Sequence, residues 1–351
     1  MPHLVTLAEI QAAAGRISGV AVRTGLYLVD PARLRAAGAA ELPFALYIKA
    51  ESEQPIGSFK LRGAYNRIAQ LSAEELARGV ITYSSGNHAQ GVAYAARALG
   101  ARAVIVMPRD APAVKIEATR ALGAEVVFVG PASSERKAKA EELAAAHGYT
   151  IIPPYDDPAI IAGQGTCGLE ILEQLGAAAH DDVVVLSPVS GGGLLGGIST
   201  AIKLACASLR AEGALGPAIQ VWGAEPELAA DAKESFDTRT LVEWPAAKTT
   251  RTISDGLRTQ SLGTLNFQHI LRFVDGIVTV TEDEIVAAMR VMLAATGLVA
   301  EPSGAVTLAA ALYHHAELPK CARMVAVLSG GNIDPGLRQR LQRGAATGAS
   351  A

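Results

Sequence analysis

Short apolar runs alternate with longer segments of helical periodicity along most of this chain. The short runs are rich in valine and isoleucine, which favours β-strands, and the longer segments repeat apolar residues every three or four positions. This alternation is typical of right-handed βαβ units that form parallel sheets, so we predict an α/β fold. The predicted strands are Ala45–Lys49, Val80–Tyr83, Ala103–Met107, Glu125–Val129, Thr150–Ile152, Val183–Leu186, Gln220–Ala224, Gly276–Val280 and Val325–Leu328.

The segments between these strands predict the helices. Thr6 and Glu9 have the spacing of a capping box, so a first helix should begin there and end near Gly15. Another helix should begin at Lys60, after a loop over residues 51–57. The remaining predicted helices are Gly91–Leu99, Ala113–Leu122, Ser134–Ala146, Ile160–Leu175, Leu194–Ala207, Glu282–Ala295 and Ser303–His314.

A chain of 351 residues is long enough for two domains. We predict a small domain over residues 69–154, where strands and helices alternate most regularly. Residues 1–68 and 155–343 should form a larger domain around the second sheet. The small-residue tail 344–351 is expected to be disordered.

The composition favours a protein that acts on small molecules and resides in a reducing compartment. Lys and Arg number 31 against 34 Asp and Glu, so the charge offers no general attraction to nucleic acid or anionic membrane. The three cysteines are widely spaced and show no pairing or metal-binding pattern. No signal peptide is evident and the apolar runs are interrupted by glycine and charge, so we expect a cytoplasmic protein without a membrane span.

The stretch 57–64 (GSFKLRGA) places Lys60 at a helix start among apolar neighbours. Such surroundings lower the pKa of a lysine, and the neutral amine can then act as a nucleophile or form a Schiff base. A surface lysine with its head in water is the alternative.

Three further small-residue turns follow predicted strands, namely residues 84–91 (SSGNHAQG), 190–197 (SGGGLLGG) and 329–332 (SGGN). The carboxyl ends of parallel strands are where α/β proteins build binding sites. The glycines of the second turn open a helix and can close backbone N–H groups around a phosphate. Its spacing is not that of a dinucleotide site, so a monophosphate is favoured, and a tight packing turn is the alternative.

Together, these four motifs resemble the fold-type II family of pyridoxal-phosphate (PLP) enzymes, in the branch of serine/threonine dehydratases and serine racemases, from about Thr24 to Asp334. The resemblance implies a tryptophan synthase β-like fold of two open, twisted, mainly parallel sheets with flanking helices. It also implies that PLP binds covalently to Lys60. The cofactor-binding residues it implies are Phe59, Lys60, Asn87, Gly191, Gly192, Gly193, Leu194 and Ser329.

The resemblance also assigns roles within the site. Asn87 hydrogen-bonds the phenolic oxygen of PLP, and Ser329 faces the pyridine nitrogen without holding it protonated, unless Ser329 is merely the end of a strand. The substrate's α-carboxylate is bound by Ser84, Ser85, Asn87 and His88 at a helix N-terminus, where Ser84 or Ser85 could instead cap the helix. Arg136 would bind a second substrate carboxylate, or else face solvent.

A cation site is implied by the racemase branch. Glu225, Asp231 and the carbonyl of Ala229 match its ligands for Mg²⁺ or Ca²⁺, with Mn²⁺ as a further candidate, and hard cations prefer such oxygens. The alternative is that the two acids are solvated charges on a loop. Glu227 and Leu228 depart from the residues that are usual in that branch.

We therefore predict a PLP-dependent ammonia-lyase that converts a β-hydroxy amino acid to a 2-oxo acid and ammonia, with Lys60 as the base. Threonine, serine, 3-hydroxyaspartate and phenylserine all suit this reaction. No regulatory domain fits after Asp334, which favours a short catabolic enzyme, and we expect a homodimer. Alternatives are a racemase in which Ser85 is a second acid/base, a synthase of the cysteine synthase kind, and a non-catalytic PLP- or amino-acid-binding protein.

Overall fold

The computed structural model describes residues 3–84, 86–109, 111, 113–130, 133–176, 182–211 and 218–347. In chain order its strands are β1 (Leu26–Leu28), β2 (Ala45–Ala50), β3 (Val80–Tyr83), β4 (Ala103–Pro108), β5 (Glu125–Val129), β6 (Thr150–Ile151), β7 (Val183–Pro188), β8 (Ile219–Pro226), β9 (Gly276–Val280) and β10 (Arg323–Leu328). They form a six-stranded sheet of order β1-β2-β10-β7-β8-β9 and a four-stranded sheet of order β5-β4-β3-β6. The strands pair in parallel, except that β1 runs antiparallel to β2.

Helices flank both sheets. They are α1 (Leu7–Ile17), α2 (Pro31–Ala36), α3 (Lys60–Ile68), α4 (Ala73–Arg78), α5 (Asn87–Ala98), α6 (Ala113–Ala121), α7 (Ser133–His147), α8 (Pro158–Leu175), α9 (Gly193–Ala211), α10 (Asp231–Thr238), α11 (Ala246–Thr249), α12 (Thr264–Phe273), α13 (Glu282–Thr296), α14 (Pro302–Tyr313) and α15 (Pro335–Thr347). The predicted α/β fold with two mainly parallel sheets is confirmed, and each predicted strand overlaps an observed one.

The six-stranded sheet is buried on both faces. Alternate residues of β7 point to opposite sides, so Val184 joins a core with Met289 of α13. Val185 joins the second core with Leu195 of α9. Burial on both sides explains why these strands read as continuous apolar runs rather than as alternating ones.

Helix α9 bears on the sequence-based expectation about membranes. Among the described residues it is the one helix long and apolar enough to cross a bilayer, judged by length and composition. The glycines at its start do not interrupt the helix, so that part of the sequence argument was wrong, while the expected absence of a membrane span stays a prediction. More than half of the apolar stretch of α9 is buried inside the protein. A helix in a protein core can have the same length and composition as one that crosses a membrane.

Helix α5 begins at Asn87, four residues before the predicted start at Gly91. Glycine is a poor helix former, which is why the sequence suggested a boundary there. In the structure, a Cβ atom at position 91 would lie 3.2 Å from the backbone oxygen of Lys60. Gly91 therefore lets α5 pack closely against the start of α3, and the two helix N-termini come together.

The domain boundaries at residues 69 and 154 stay predictions, although the strands of residues 80–151 do form a sheet of their own. At the C-terminus, α15 runs to Thr347 and so enters the tail that we expected to be disordered from residue 344. Alanines at 345 and 346 are strong helix formers and continue the helix. Residues 348–351 lie outside the part that the structure describes.

Candidate active site

Lys60 is the first residue of α3 and is partly buried. Its Nζ donates a hydrogen bond to the carbonyl oxygen of Pro154 at 2.7 Å and lies 5.2 Å from the centre of the Phe59 ring. Burial disfavours the charged ammonium and lowers the pKa of Lys60 from 10.5 to about 8. A substantial fraction of the amine is therefore neutral near pH 8, as a nucleophile or base requires.

The loop before Lys60 lies against the end of β10. The amide of Phe59 donates to the carbonyl oxygen of Ser329 at 3.0 Å, and Ser58 forms an antiparallel bridge with Gly330. The amide of Gly331 donates in return to the carbonyl of Gly57 at 2.9 Å. Two motifs whose first residues, Gly57 and Ser329, lie 272 positions apart in the sequence are thus paired along their backbones.

The N-terminus of α5 forms another wall of the site. Its N-cap is Gly86, which has no side chain to cap the helix, while the hydroxyl of Ser84 accepts from the amide of Gly86 at 3.3 Å. The alternative that Ser84 caps this helix is therefore wrong. The first-turn amides have no intrahelical acceptor, so they remain suited to a carboxylate. Ser85 lies outside the described residues.

His88 is buried, and its side chain is committed to the main chain. Its Nε2 lies 3.0 Å from the carbonyl oxygen of Ile152, which can only accept, so Nε2 carries the proton. Burial, followed by the charge of Lys60, lowers the pKa of His88 to about 3, and the ring is neutral. His88 can therefore serve a substrate through its backbone amide, whereas its Nε2–H is already occupied.

The glycine loop joins β7 to α9. Gly192 has a φ of +92°, which favours glycine, and a Cβ at Gly191 would meet the Tyr155 ring at 2.4 Å. The carbonyl of Gly191 accepts from Nδ2 of Asn266 at 2.6 Å and from the amide of Gly263 at 3.0 Å. The loop is held from its carbonyl side, and α9 begins at Gly193.

These features suit the phosphate of PLP. A loop without side chains opens directly into the N-terminus of a 19-residue helix, so backbone amides and the helix dipole both favour an anion. Leu194 is buried just behind this loop. Lys60, whose amine can be neutral, and the buried Ser329 complete a set of residues that fits the cofactor.

Glu301 is a site residue that sequence reasoning missed. It is buried at the N-cap of α14, and its Oε1 accepts from Nδ2 of Asn87 at 2.6 Å. Burial, assisted by Asp255, raises the pKa of Glu301 to about 7. The available signal was a single acid inside the otherwise apolar run 298–302 (LVAEP).

The predicted cation ligands are buried rather than solvated, which removes the alternative of loop charges in water. Both oxygens of Glu225 accept backbone amides at the start of α10, from Ala232 at 3.1 Å and Lys233 at 2.9 Å. Oδ2 of Asp231 is buried without a hydrogen-bond partner among the described residues. Ala229 is the last residue of a 3-10 helix, Glu227–Ala229, that lies between the two acids, and it is buried too.

Such a carboxylate pair has chemistry that suits a cation. Burial, and then the charge of Asp231, raises the pKa of Glu225, while burial raises the pKa of Asp231 to about 7. No group of three His, Cys, Asp or Glu side chains that could hold a metal occurs in the described part of the chain. A cation would therefore depend on these two acids, a main-chain carbonyl and water.

Arg136 lies half-buried in the first turn of α7, which packs on the four-stranded sheet. It belongs to the helix layer beside β3, the strand that leads to Ser84. Its role toward a substrate carboxylate stays a prediction.

Comparison with known proteins identifies this combination of lysine, glycine loop and strand-end turns. A family model described as pyridoxal-phosphate dependent enzyme matches residues 28–330. The chain belongs to this family. The prediction of a PLP enzyme of fold type II is confirmed, and PLP is its cofactor.

Relatives fall in the predicted branch. L-threo-3-hydroxyaspartate ammonia-lyase of Saccharomyces cerevisiae is 40% identical over 82% of this chain and 83% of its own length. Serine racemase of Schizosaccharomyces pombe is 38% identical over 82% of this chain and 84% of its own. The crystal structure of a threonine deaminase from T.th. is 42% identical, covers 94% of this chain and 99% of its own, and superposes with a TM-score of 0.82. Dimerisation, location in the cell and the roles of single residues stay predictions.

Proposed function

We propose that this protein is a PLP-dependent ammonia-lyase that removes water from a β-hydroxy amino acid and releases a 2-oxo acid and ammonia. The observation that carries the proposal is the Lys60 amine, which donates to the carbonyl oxygen of Pro154 at 2.7 Å and has its pKa lowered to about 8 by burial. The similarity to ammonia-lyases of threonine and hydroxyaspartate supports it.

PLP, when bound, supplies an electron sink for the electron pair left at the α-carbon. Lys60 would hold it through the ε-amine, the loop from Gly191 to Gly193 would hold its phosphate, and Asn87 and Ser329 would contact its ring. These assignments rest on the family resemblance and on the way these residues converge at the ends of three strands.

The residues of this chain then divide the work of elimination. Backbone amides at the start of α5 bind the α-carboxylate and fix the orientation of the α-carbon. With the substrate bound, the neutral amine of Lys60 would accept the α-proton. The β carbon–oxygen bond breaks, and the hydroxyl leaves as water with a proton that balances the one Lys60 has taken up, so that the amine ends neutral. The enamine product then hydrolyses to the 2-oxo acid and ammonium.

The substrate is tested by measuring 2-oxo acid release from L-threonine, L-serine, threo-3-hydroxyaspartate and phenylserine at equal concentrations of holoenzyme. We expect turnover of at least one of the four. Bound PLP with no 2-oxo acid from any of them would instead favour the non-catalytic binding protein. Formation of D-serine from L-serine, followed by chiral chromatography, would favour the racemase, as the similarity to a serine racemase allows.

If the substrate has a second carboxylate, we expect Arg136 to bind it. If its guanidinium forms a bidentate pair with that group, Arg136→Met should raise KM for 3-hydroxyaspartate by about 10-fold or more, and that for threonine by less than about 2-fold. Lys137→Met, which changes the exposed neighbour on the same helix, is the matched control. Equal effects of Arg136→Met on both substrates would contradict the assignment.

We also propose that Glu225, Asp231 and the carbonyl of Ala229 bind Mg²⁺, Ca²⁺ or Mn²⁺. Burial makes both acids costly to ionise, and the charge of Asp231 adds to the cost for Glu225, so a bound cation would stabilise their charged forms. It would also tie the 3-10 helix Glu227–Ala229 to β8.

Excess chelator should therefore lower the melting temperature of the holoenzyme by about 2–5 °C, and added Mg²⁺ should restore it. Asp231→Asn removes one charged ligand and should melt at the same temperature with and without chelator. An unchanged melting temperature of the parent protein in chelator would rule out a bound stabilising cation.

A further inference from the structure

Four polar groups from distant parts of the chain form a continuous row beside the site. Asn332 Nδ2 donates to the carbonyl oxygen of Ile56 at 2.9 Å and to Oδ1 of Asn87 at 2.7 Å. Asn87 Nδ2 then donates to Oε1 of Glu301 at 2.6 Å. We call Ile56 O, Asn332, Asn87 and Glu301 the amide relay.

The chemistry of its ends fixes how both carboxamides are turned. A backbone carbonyl can only accept, so Asn332 must present its nitrogen to Ile56, and its second N–H then reaches Asn87. Asn87 must therefore present its oxygen to Asn332 and its nitrogen to Glu301. An amide nitrogen carries two hydrogens, so one N–H of Asn87 is left for a ligand.

We propose that Glu301 and Asn332 are positioning residues, which hold the Asn87 carboxamide in the single orientation that offers an N–H to the phenolic oxygen of PLP. The proposal rests on the proposed function as far as PLP binding at Asn87 is concerned. Without the relay, Asn87 could rotate by 180° and present its oxygen, which repels the cofactor's oxygen.

Gly57 and Gly330 have no side chains, and the side chains of the amide relay occupy the space that a Cβ atom at either position would need. A Cβ at Gly57 would lie 2.3 Å from Oδ1 of Asn332, and Gly57 also has a φ of +72°. At Gly330, a Cβ would lie 2.2 Å from Oε1 of Glu301 and 3.2 Å from Nδ2 of Asn87. A side chain at position 330 would therefore displace the bond between Asn87 and Glu301.

The relay can be tested on cofactor binding, independently of turnover. Cofactor-free protein is titrated with PLP, the dissociation constant and the position of the visible absorption band are recorded, and kcat and KM are measured on the holoenzyme. Glu301→Leu should weaken PLP binding by about 10-fold and shift the band, because the amide loses an acceptor that fixes it. Glu301→Gln keeps an acceptor oxygen and should stay within about 3-fold of the parent protein.

A double-mutant cycle separates positioning from a loss of packing. In an Asn87→Ala background no carboxamide remains to be oriented, so adding Glu301→Leu should change PLP affinity by less than about 2-fold. Gly330→Ala reaches the same bond from the other side and should resemble Glu301→Leu, even if the latter folds poorly.

Full additivity of Glu301→Leu and Asn87→Ala would overturn the proposal, as would unchanged PLP binding in both Glu301→Leu and Gly330→Ala. The proposed function fails differently. If the parent protein binds PLP but eliminates no hydroxy amino acid, the proposed ammonia-lyase function is wrong. The double-mutant cycle on PLP affinity would still test whether Glu301 orients Asn87.

Discussion

Lys60→Ala should reduce 2-oxo acid formation from hydroxy amino acids by at least about 1000-fold, to the limit of detection. The variant loses the amine that holds PLP and the base that takes the α-proton, and positioned proton transfer alone contributes about 100- to 10,000-fold. The visible absorption band of the covalently held cofactor should vanish as well. Retention of more than a trace of turnover without an added amine would remove Lys60 from the mechanism.

The buried charge of Lys60 also affects the stability of the protein, which can be measured independently of activity. The ordinary pKa of lysine is 10.5, and burial lowers that of Lys60 to about 8 in the folded protein. Between these two pH values the unfolded chain holds a proton that the folded one releases, so this group makes stability rise with pH. Below pH 8 both states are charged, and the full cost of burying the charge remains, at most about 3 kcal/mol for this partly exposed side chain.

Lys60→Met keeps much of the apolar stem but has no charge to bury. In the cofactor-free state it should therefore be more stable than the parent protein at pH 7, and the gain should shrink as the pH rises from 8 toward 10.5. Urea unfolding at pH 7 and pH 10 measures the difference. A variant that is less stable at pH 7 would mean that Lys60 is not desolvated as the structure indicates.

The strands were predictable because a parallel strand that is buried on both faces appears in the sequence as a continuous run of apolar residues. Val183–Leu186 and Val325–Leu328 are apolar at each position, since the two sides of the sheet each face a core. Strand β1 was missed for the opposite reason. Its three residues lie at a sheet edge, where Leu28 is 57% exposed, so it carries no such run.

The site was predictable where one short segment carries its chemistry, as Lys60 and the glycine loop do. Pairings between distant segments were not. Asn87 and Glu301 are 214 positions apart, and no periodicity links a helix start with a lone acid in another helix cap. Likewise, the sequence shows His88 next to Asn87 but gives no sign that its ring is bound to the carbonyl of Ile152.

Arg62 is a further residue whose contacts could not be predicted. It lies in the motif around Lys60, but the sequence does not show which distant residues it binds. Its guanidinium is fully buried and binds Glu51 at 2.7 and 2.8 Å and Glu170 at 2.6 and 2.8 Å. Lys49 completes the group with a bond to Glu170 at 2.6 Å. Two cations and two anions thus balance inside the protein and join β2, α3 and α8.

Removing one member would leave a buried charge without compensation. Burial on its own would raise the pKa of Glu51, but the charge and hydrogen bonds of Arg62 hold that pKa below its ordinary value. Arg62→Met should therefore lower the free energy of unfolding by about 3–5 kcal/mol at pH 7, as breaking a buried pair does. Urea unfolding of the cofactor-free protein measures this loss without the contribution of bound PLP.

Arg102→Met is the matched control, since the pair of Arg102 with Glu125 is exposed to solvent and should contribute little to the free energy of unfolding. Adding Glu51→Gln to Arg62→Met removes the uncompensated charge and should recover part of the lost stability. A loss as small as that of Arg102→Met would contradict the argument. Because Arg62 lies in the first turn of α3, two residues after Lys60, the same network that stabilises the fold also anchors the start of the helix that carries Lys60.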